Sequence, residues 1–165
     1  MIKPLFQKIV VAYSGSKTSL DTLMYAILMA KIYKCQVKVV VVVDTASIKY
    51  LTLQKFMVSQ EGEAVAKNLE SDGKKNLNYA MNFAKSKGVK IETELRKGAV
   101  WSEIVAAADE FKADLILIGG AKNLNHLSSL SRDLVSSQES EIIGSAHCSV
   151  MVVRDPFVSQ KIKLV

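Results

Sequence analysis

Apolar positions along the chain switch repeatedly between two spacings. Lys8 to Ser14 (KIVVAYS) is a compact β-branched run halted at Gly15, the pattern of a buried strand closed by a turn. From Lys17 to Tyr33 the spacing becomes three and four residues. Leu20, Leu23, Met24, Ile27 and Ala30 then share one helical face, with Ser16 or Thr18 available to cap it. Gln36 to Asp44 (QVKVVVVVD) is continuously valine-rich. A strand with one wet face alternates, so a run apolar at successive positions predicts a central parallel strand covered on both faces. Strand, helix, strand in this order is a right-handed crossover unit.

Thr45 to Gly62 is apolar at Ile48, Tyr50, Leu51, Leu53, Phe56, Met57 and Val58 but in no clean period, and reads as an irregular or helical excursion. In Glu63 to Lys87, Leu69, Leu77, Ala80, Met81 and Ala84 form a helical stripe, and Gly88 supplies the stop. A short strand over Lys90 to Leu95 follows, alternating Ile91 and Thr93 with charged neighbours. Val100, Ile104, Ala107, Ala108 and Phe111 mark another amphipathic helix. Asp114 to Gly120 (DLILIGG) and Ser149 to Asp155 (SVMVVRD) are two more buried runs. Between them lie a Ser/Asn-rich loop, Ala121 to Ser136, and a short helix through Ala146. Strands alternating with helices predict an α/β fold with a parallel sheet of about five strands. The 165 residues suit one core, hence one domain over 1–165 with 156–165 as a tail.

Composition narrows the class. With 49% hydrophobic and 23% charged residues, 8 Gly and 2 Pro, the chain is neither disordered nor collagen-like. No uninterrupted apolar run, Val39 to Val43 included, approaches the roughly 20 residues that span a bilayer. The N-terminal MIKPLFQK has no apolar secretory core. No membrane association is expected. Cys35 and Cys148 have no CxxC spacing, so neither zinc nor a disulfide framework is indicated, and a reducing, cytoplasmic setting is expected. The formal net charge is +6, but the lysines are scattered and few aromatics lie among them. That is the pattern of a solvated surface rather than of a nucleic-acid patch. Small anionic ligands such as nucleotides remain compatible with it.

In an open parallel sheet, ligands bind beyond the carboxyl ends of the strands, where the winding reverses. Those ends carry Tyr13-Ser14-Gly15-Ser16, Val42-Val43-Asp44 and Gly119-Gly120-Ala121-Lys122. Glycine there lets backbone N–H groups approach an anion, Lys122 can neutralise one, and Ser137 opens a helix whose N-terminus favours negative charge. Gly15 and Gly119 serve equally well as turn residues, and Ser137 as a plain N-cap; spacing alone leaves both readings open. Signs of catalysis are absent. His126 and His147 have no HExxH spacing, the acidic residues form no ligand cluster, and there is no GxSxG elbow. Cys148 opens an apolar run, Cys35 has only Lys34 as an activating neighbour, and Trp101 reads as packing.

The order and separation of several segments resemble the universal stress protein family across nearly the whole chain. They are KIVVAYSGSKTSLDTLMYA, VVVVVD, KGAVWSEIVAAADEFKADLILIGG and SSQESEIIGSAHCSVMVVRDP. The resemblance implies a Rossmann-like three-layer sandwich with sheet order 3-2-1-4-5, dimerisation through the last strand, and a regulatory, non-catalytic role in the stress response. Some members of the family bind ATP, and their usual marker is G-x2-G-x9-G-[ST] after the fourth strand. Here its first glycine matches Gly119, its second position is Lys122, the closing pair is Ser136-Ser137, and the loop is longer. The acidic residue often found at the end of the first strand is Ser14, and Val42 keeps the position whose backbone commonly contacts adenine. Lysine and serine in place of glycine restrict φ and crowd a phosphate, while Ser14 can still accept a hydrogen bond. The implied ligand is ATP or another adenine nucleotide, held by Ala12, Ser14, Val42, Gly119, Lys122, Ser136 and Ser137. A Gly119→Val change is expected to block it sterically while the fold persists. The rival from the same family is a nucleotide-free dimeric interaction module. AYSGSKTSL also looks like the SGGxDS loop of the PP-loop ATP pyrophosphatases, with Ser16 for its second glycine and Thr18 for its aspartate.

Overall fold

The valine-rich segment is β2 (Gln36–Asp44), beside the centre of a five-stranded sheet. With β1 (Lys8–Ala12), β3 (Glu92–Gly98), β4 (Leu115–Gly119) and β5 (Ser149–Val153) it forms an all-parallel sheet of order β3-β2-β1-β4-β5. The computed structural model describes residues 1–120 and 137–165. Parallel neighbours need crossovers. These are α1 (Lys17–Tyr33), then α2 (Thr45–Leu53) with α3 (Ser59–Ser86), then α4 (Val100–Phe111) and α5 (Ser137–Ser145).

Because successive strand residues point to opposite faces, each central strand supplies two cores. Ile9, Val11, Val39 and Leu117 pack under α1 and α3 against Leu23, Ile27, Leu77 and Ala80. Val10, Val40, Ile116 and Ile118 pack on the other face against Ile104, Ala108, Phe111 and Ile142. Both faces are covered, which is why the valine run does not alternate. Each valine, leucine or isoleucine fully buried in this way contributes about 1.5–3 kcal/mol. The result is the three-layer Rossmann-like arrangement that the sequence implied.

Helix α1 and strand β2 occupy the expected residues, and Ser16 rather than Thr18 caps α1, accepting from Ser19 N at 3.3 Å. Thr45 to Gly62 resolves into α2, a turn and the start of α3, which begins at Ser59 rather than Glu63. None of α2 is buried. Gly62 and Gly73 lie inside α3 because neighbours press on it: a Cβ at Gly73 would stand 2.8 Å from Leu95 Cδ1 and 3.1 Å from Val41 Cγ1. β3 begins and ends later than the expected Lys90 to Leu95. β1, β4 and β5 are slightly shorter than their apolar runs, because the chain turns away after Ala12, Gly119 and Val153.

Residues 156–165, expected as a tail, carry α6 (Val158–Lys161) and a 3-10 turn over Ile162–Leu164. Val158 and Ile162 are buried, the latter in the α1 core. Among the described residues no helix is long and apolar enough to cross a membrane.

Candidate functional site

At the carboxyl edge β1 and β4 are neighbours, yet the helix after β1 packs on one face and the helix after β4 on the other. This divergence opens a cleft of the kind that takes ligands in wound sheets. Here it is a cavity of about 140 Å³. Ala12 and Ser14 reach it from the end of β1, Val40 and Val42 from β2, and Ile118 and Gly119 from β4. Val100 and Ile104 of α4 and Ile142 of α5 complete an apolar wall.

Four of the seven residues expected to hold a nucleotide, Ala12, Ser14, Val42 and Gly119, therefore meet at one cavity. Lys122, Ser136 and the side chain of Ser137 lie outside the described residues; Ser137 is the first residue of α5, and the next two, Gln138 and Glu139, line the cavity. Gly119 has a further duty. A Cβ added there would come 3.0 Å from the backbone carbon and oxygen of Thr18. The glycine lets α1 close onto β4, so the expectation that Gly119→Val would spare the fold is corrected: a valine meets rigid backbone before it meets any ligand.

The polar rim comes from the start of α1. Ser14 Oγ donates to Ser16 Oγ at 3.1 Å and to Ser19 Oγ at 3.3 Å, Ser16 Oγ to Ser19 Oγ at 3.1 Å, and Ser19 Oγ to the Ser16 carbonyl at 3.0 Å. Thr18 joins through Ser16, with 3.4 Å between the hydroxyl oxygens. Each hydroxyl both donates and accepts, so the cluster can turn toward a sugar hydroxyl or a phosphate oxygen. The first turn of α1 holds no acidic residue and position 14 carries no carboxylate; Glu139 of α5 lines the same cavity. Ser16 and Thr18 were legible as possible caps, and Ser16 also as a carboxyl-edge residue, whereas Ser19 was not singled out. Their place on the cavity rim follows from β1 running almost directly into α1.

On the other face of the sheet the ends of β1 and β2 border a wider groove of about 440 Å³ beneath α3, with Asp44, Asp72, Lys75 and Asn76 on its rim. Two of these are already engaged: Asp44 caps α2 through Ser47, and Asn76 Nδ2 donates to the Ser14 carbonyl at 3.2 Å.

Among the described residues no group of three or more His, Cys, Asp or Glu side chains converges as a metal site. His147 is exposed at the opposite edge of the sheet, with Nδ1 3.0 Å from an Asp109 carboxylate oxygen; His126 lies outside the described residues. Burial pushes the Cys35 and Cys148 thiols up from their ordinary range, which keeps them protonated and poorly nucleophilic.

A family model described as the universal stress protein family matches residues 5–154. The universal stress protein MJ0531 of Methanocaldococcus jannaschii is 34% identical over 152 residues, 92% of this chain and 84% of that one. Among solved structures, a universal stress protein in complex with cAMP superposes with a TM-score of 0.64 at 21% identity, over 92% of this chain and 99% of that one. The universal stress protein from Archaeoglobus fulgidus in complex with dAMP gives 0.59 at 21% identity, over 92% and 100%. With the wound sheet, its reversal at β1 and β4 and this sequence match in agreement, the chain belongs to the universal stress protein family.

Proposed function

We propose that the protein is a regulatory, stress-response module that binds an adenine nucleotide in the β1–β4 cleft and performs no turnover chemistry on it. The observation that carries this reading is the cavity itself: apolar walls from Val40, Val42, Ile104 and Ile142, bordered by the Ser14, Ser16 and Ser19 hydroxyls. At about 140 Å³ it falls below the roughly 300–1,000 Å³ that encloses a whole drug-sized ligand. The base occupies it, Val42 borders the adenine, and Ser14 meets the ribose. Gly119, Lys122, Ser136 and Ser137 are the residues assigned to the phosphates. The universal stress proteins in complex with cAMP and dAMP support an adenine mononucleotide as readily as ATP. The protein acts as a homodimer joined through β5, in a reducing cytosol where Cys35 and Cys148 remain free thiols.

Mass spectrometry of small molecules released on denaturing freshly purified protein tests the reading directly, together with calorimetric titration by AMP and ATP. Retained or titrated adenine nucleotide, with no product formed from ATP and magnesium, is the expected result. AMP plus pyrophosphate would turn the assignment to the PP-loop enzyme. Absence of both binding and turnover would leave the nucleotide-free interaction module.

A further inference from the structure

Helix α4 begins without a side-chain cap of its own, because Ala99 precedes it. The first N–H groups of a helix have no intrahelical acceptor. That of Trp101 is satisfied from the neighbouring helix, donating at 3.1 Å to Oε1 of Gln138, the second residue of α5. A backbone N–H can only donate, so this contact fixes which end of the amide faces α4 and turns the NH2 group away from it. Among the described residues Nε2 has no acceptor. Gln138 lines the same cavity as Ala12 and Val42.

We propose that Gln138 is a specificity-determining residue of this site: held by Trp101, it presents Nε2 as a donor to a ring nitrogen of the bound purine. The assignment rests on the nucleotide reading above. Val42, Val100, Ile104 and Ile142 give the base contact area, and their side chains make no hydrogen bond. Adenine, for its part, carries ring nitrogens that only accept. The α1 hydroxyls also border the cavity and belong, in the reading above, to sugar and phosphate. A donor held in place by a second helix loses little freedom on binding, which is what makes a hydrogen bond selective.

The test is a calorimetric titration of wild type, Gln138→Glu and Gln138→Ala with adenosine, AMP and the 1-deaza, 3-deaza and 7-deaza adenosines. Gln138→Glu keeps an acceptor for the Trp101 N–H, and so keeps α4 capped, but replaces the donor with an acceptor. It therefore carries the test if Gln138→Ala fails to fold. Both variants are expected to bind adenosine about ten-fold more weakly, the size of one net hydrogen bond. One deaza analogue, weakened about as much on wild type, should lose nothing further on the variants. Unchanged adenosine binding by the variants would overturn the assignment, as would further loss with all three analogues. So would weakening of AMP alone by Gln138→Glu, which would report repulsion of the phosphate. If wild type binds neither adenosine nor AMP, the nucleotide reading itself fails and this assignment falls with it; if it binds both and Gln138 is silent, only the assignment falls.

Discussion

Lys34 ends α1 in the left-handed conformation, φ 59° and ψ 36°, its N–H donating to the Ala30 carbonyl at 3.0 Å. A side chain there costs about 1–2 kcal/mol, and glycine would relieve it at the expense of about 0.5–1 kcal/mol of extra unfolded-state entropy. Since Lys34 is exposed, Lys34→Gly is expected to raise the unfolding free energy by about 0.5–1 kcal/mol in urea titration; a loss would show that the lysine makes a contact worth more than the strain. Gly119 is the opposite case. A Cβ there would stand 3.0 Å from the Thr18 backbone, so the branched Gly119→Val should lower stability by about 1–3 kcal/mol, the range of overpacked cores. Nucleotide binding and folding should then fail together. A valine variant as stable as wild type would mean that α1 moves freely from β4.

Charge, not apolar surface, fastens strand β3 to helix α4. Arg96 donates to Glu103 at 2.9 Å and to Glu110 at 2.9 Å while also pairing with Glu94, which in turn pairs with Lys38. Burial alone would raise Glu94, but Lys38 and Arg96 outweigh it and hold its carboxyl below the ordinary range. A carboxyl lowered in the folded state contributes fully above its unfolded value and loses that contribution as pH falls through the folded one. Arg96→Met should therefore cost about 1–3 kcal/mol near neutral pH by leaving half-buried carboxylates without their partner. The gap between variant and wild type should close as the pH is lowered through the carboxylate range. A gap constant from pH 7 to 3 would show that packing of the arginine stem matters more. The same arrangement explains why the bounds of β3 were hard to read: an edge strand tied by ion pairs shows no apolar alternation past Leu95. α2 was equally opaque, since none of its residues is fully buried and Ile48, Leu51 and Thr52 are only half-buried. α6 escaped notice because it commits only Val158, with Ile162 just beyond it, to the core. α1 and β2 were legible throughout because each of their turns or faces meets a core.

At the scale of the molecule, the parallel α/β sheet was legible from alternation and its strand order from the resemblance, and with them the residues Ala12, Ser14, Val42 and Gly119 that line one cavity. Gln138 was not, because its part depends on meeting Trp101, 37 positions away in the chain, across two helices that no local pattern orients. The two outer strands differ in kind. β5 carries Val150, Met151 and Val152, whereas β3 carries Glu92, Glu94, Arg96 and Lys97. Association through β5 is expected to give sedimentation at twice the chain mass at micromolar concentration; the mass of one chain at every concentration would sink it. Inward and flanking charges are the usual guard against unwanted strand addition. A pair joined at β5 would leave the two charged β3 strands as its outer edges, a guard against further strand addition.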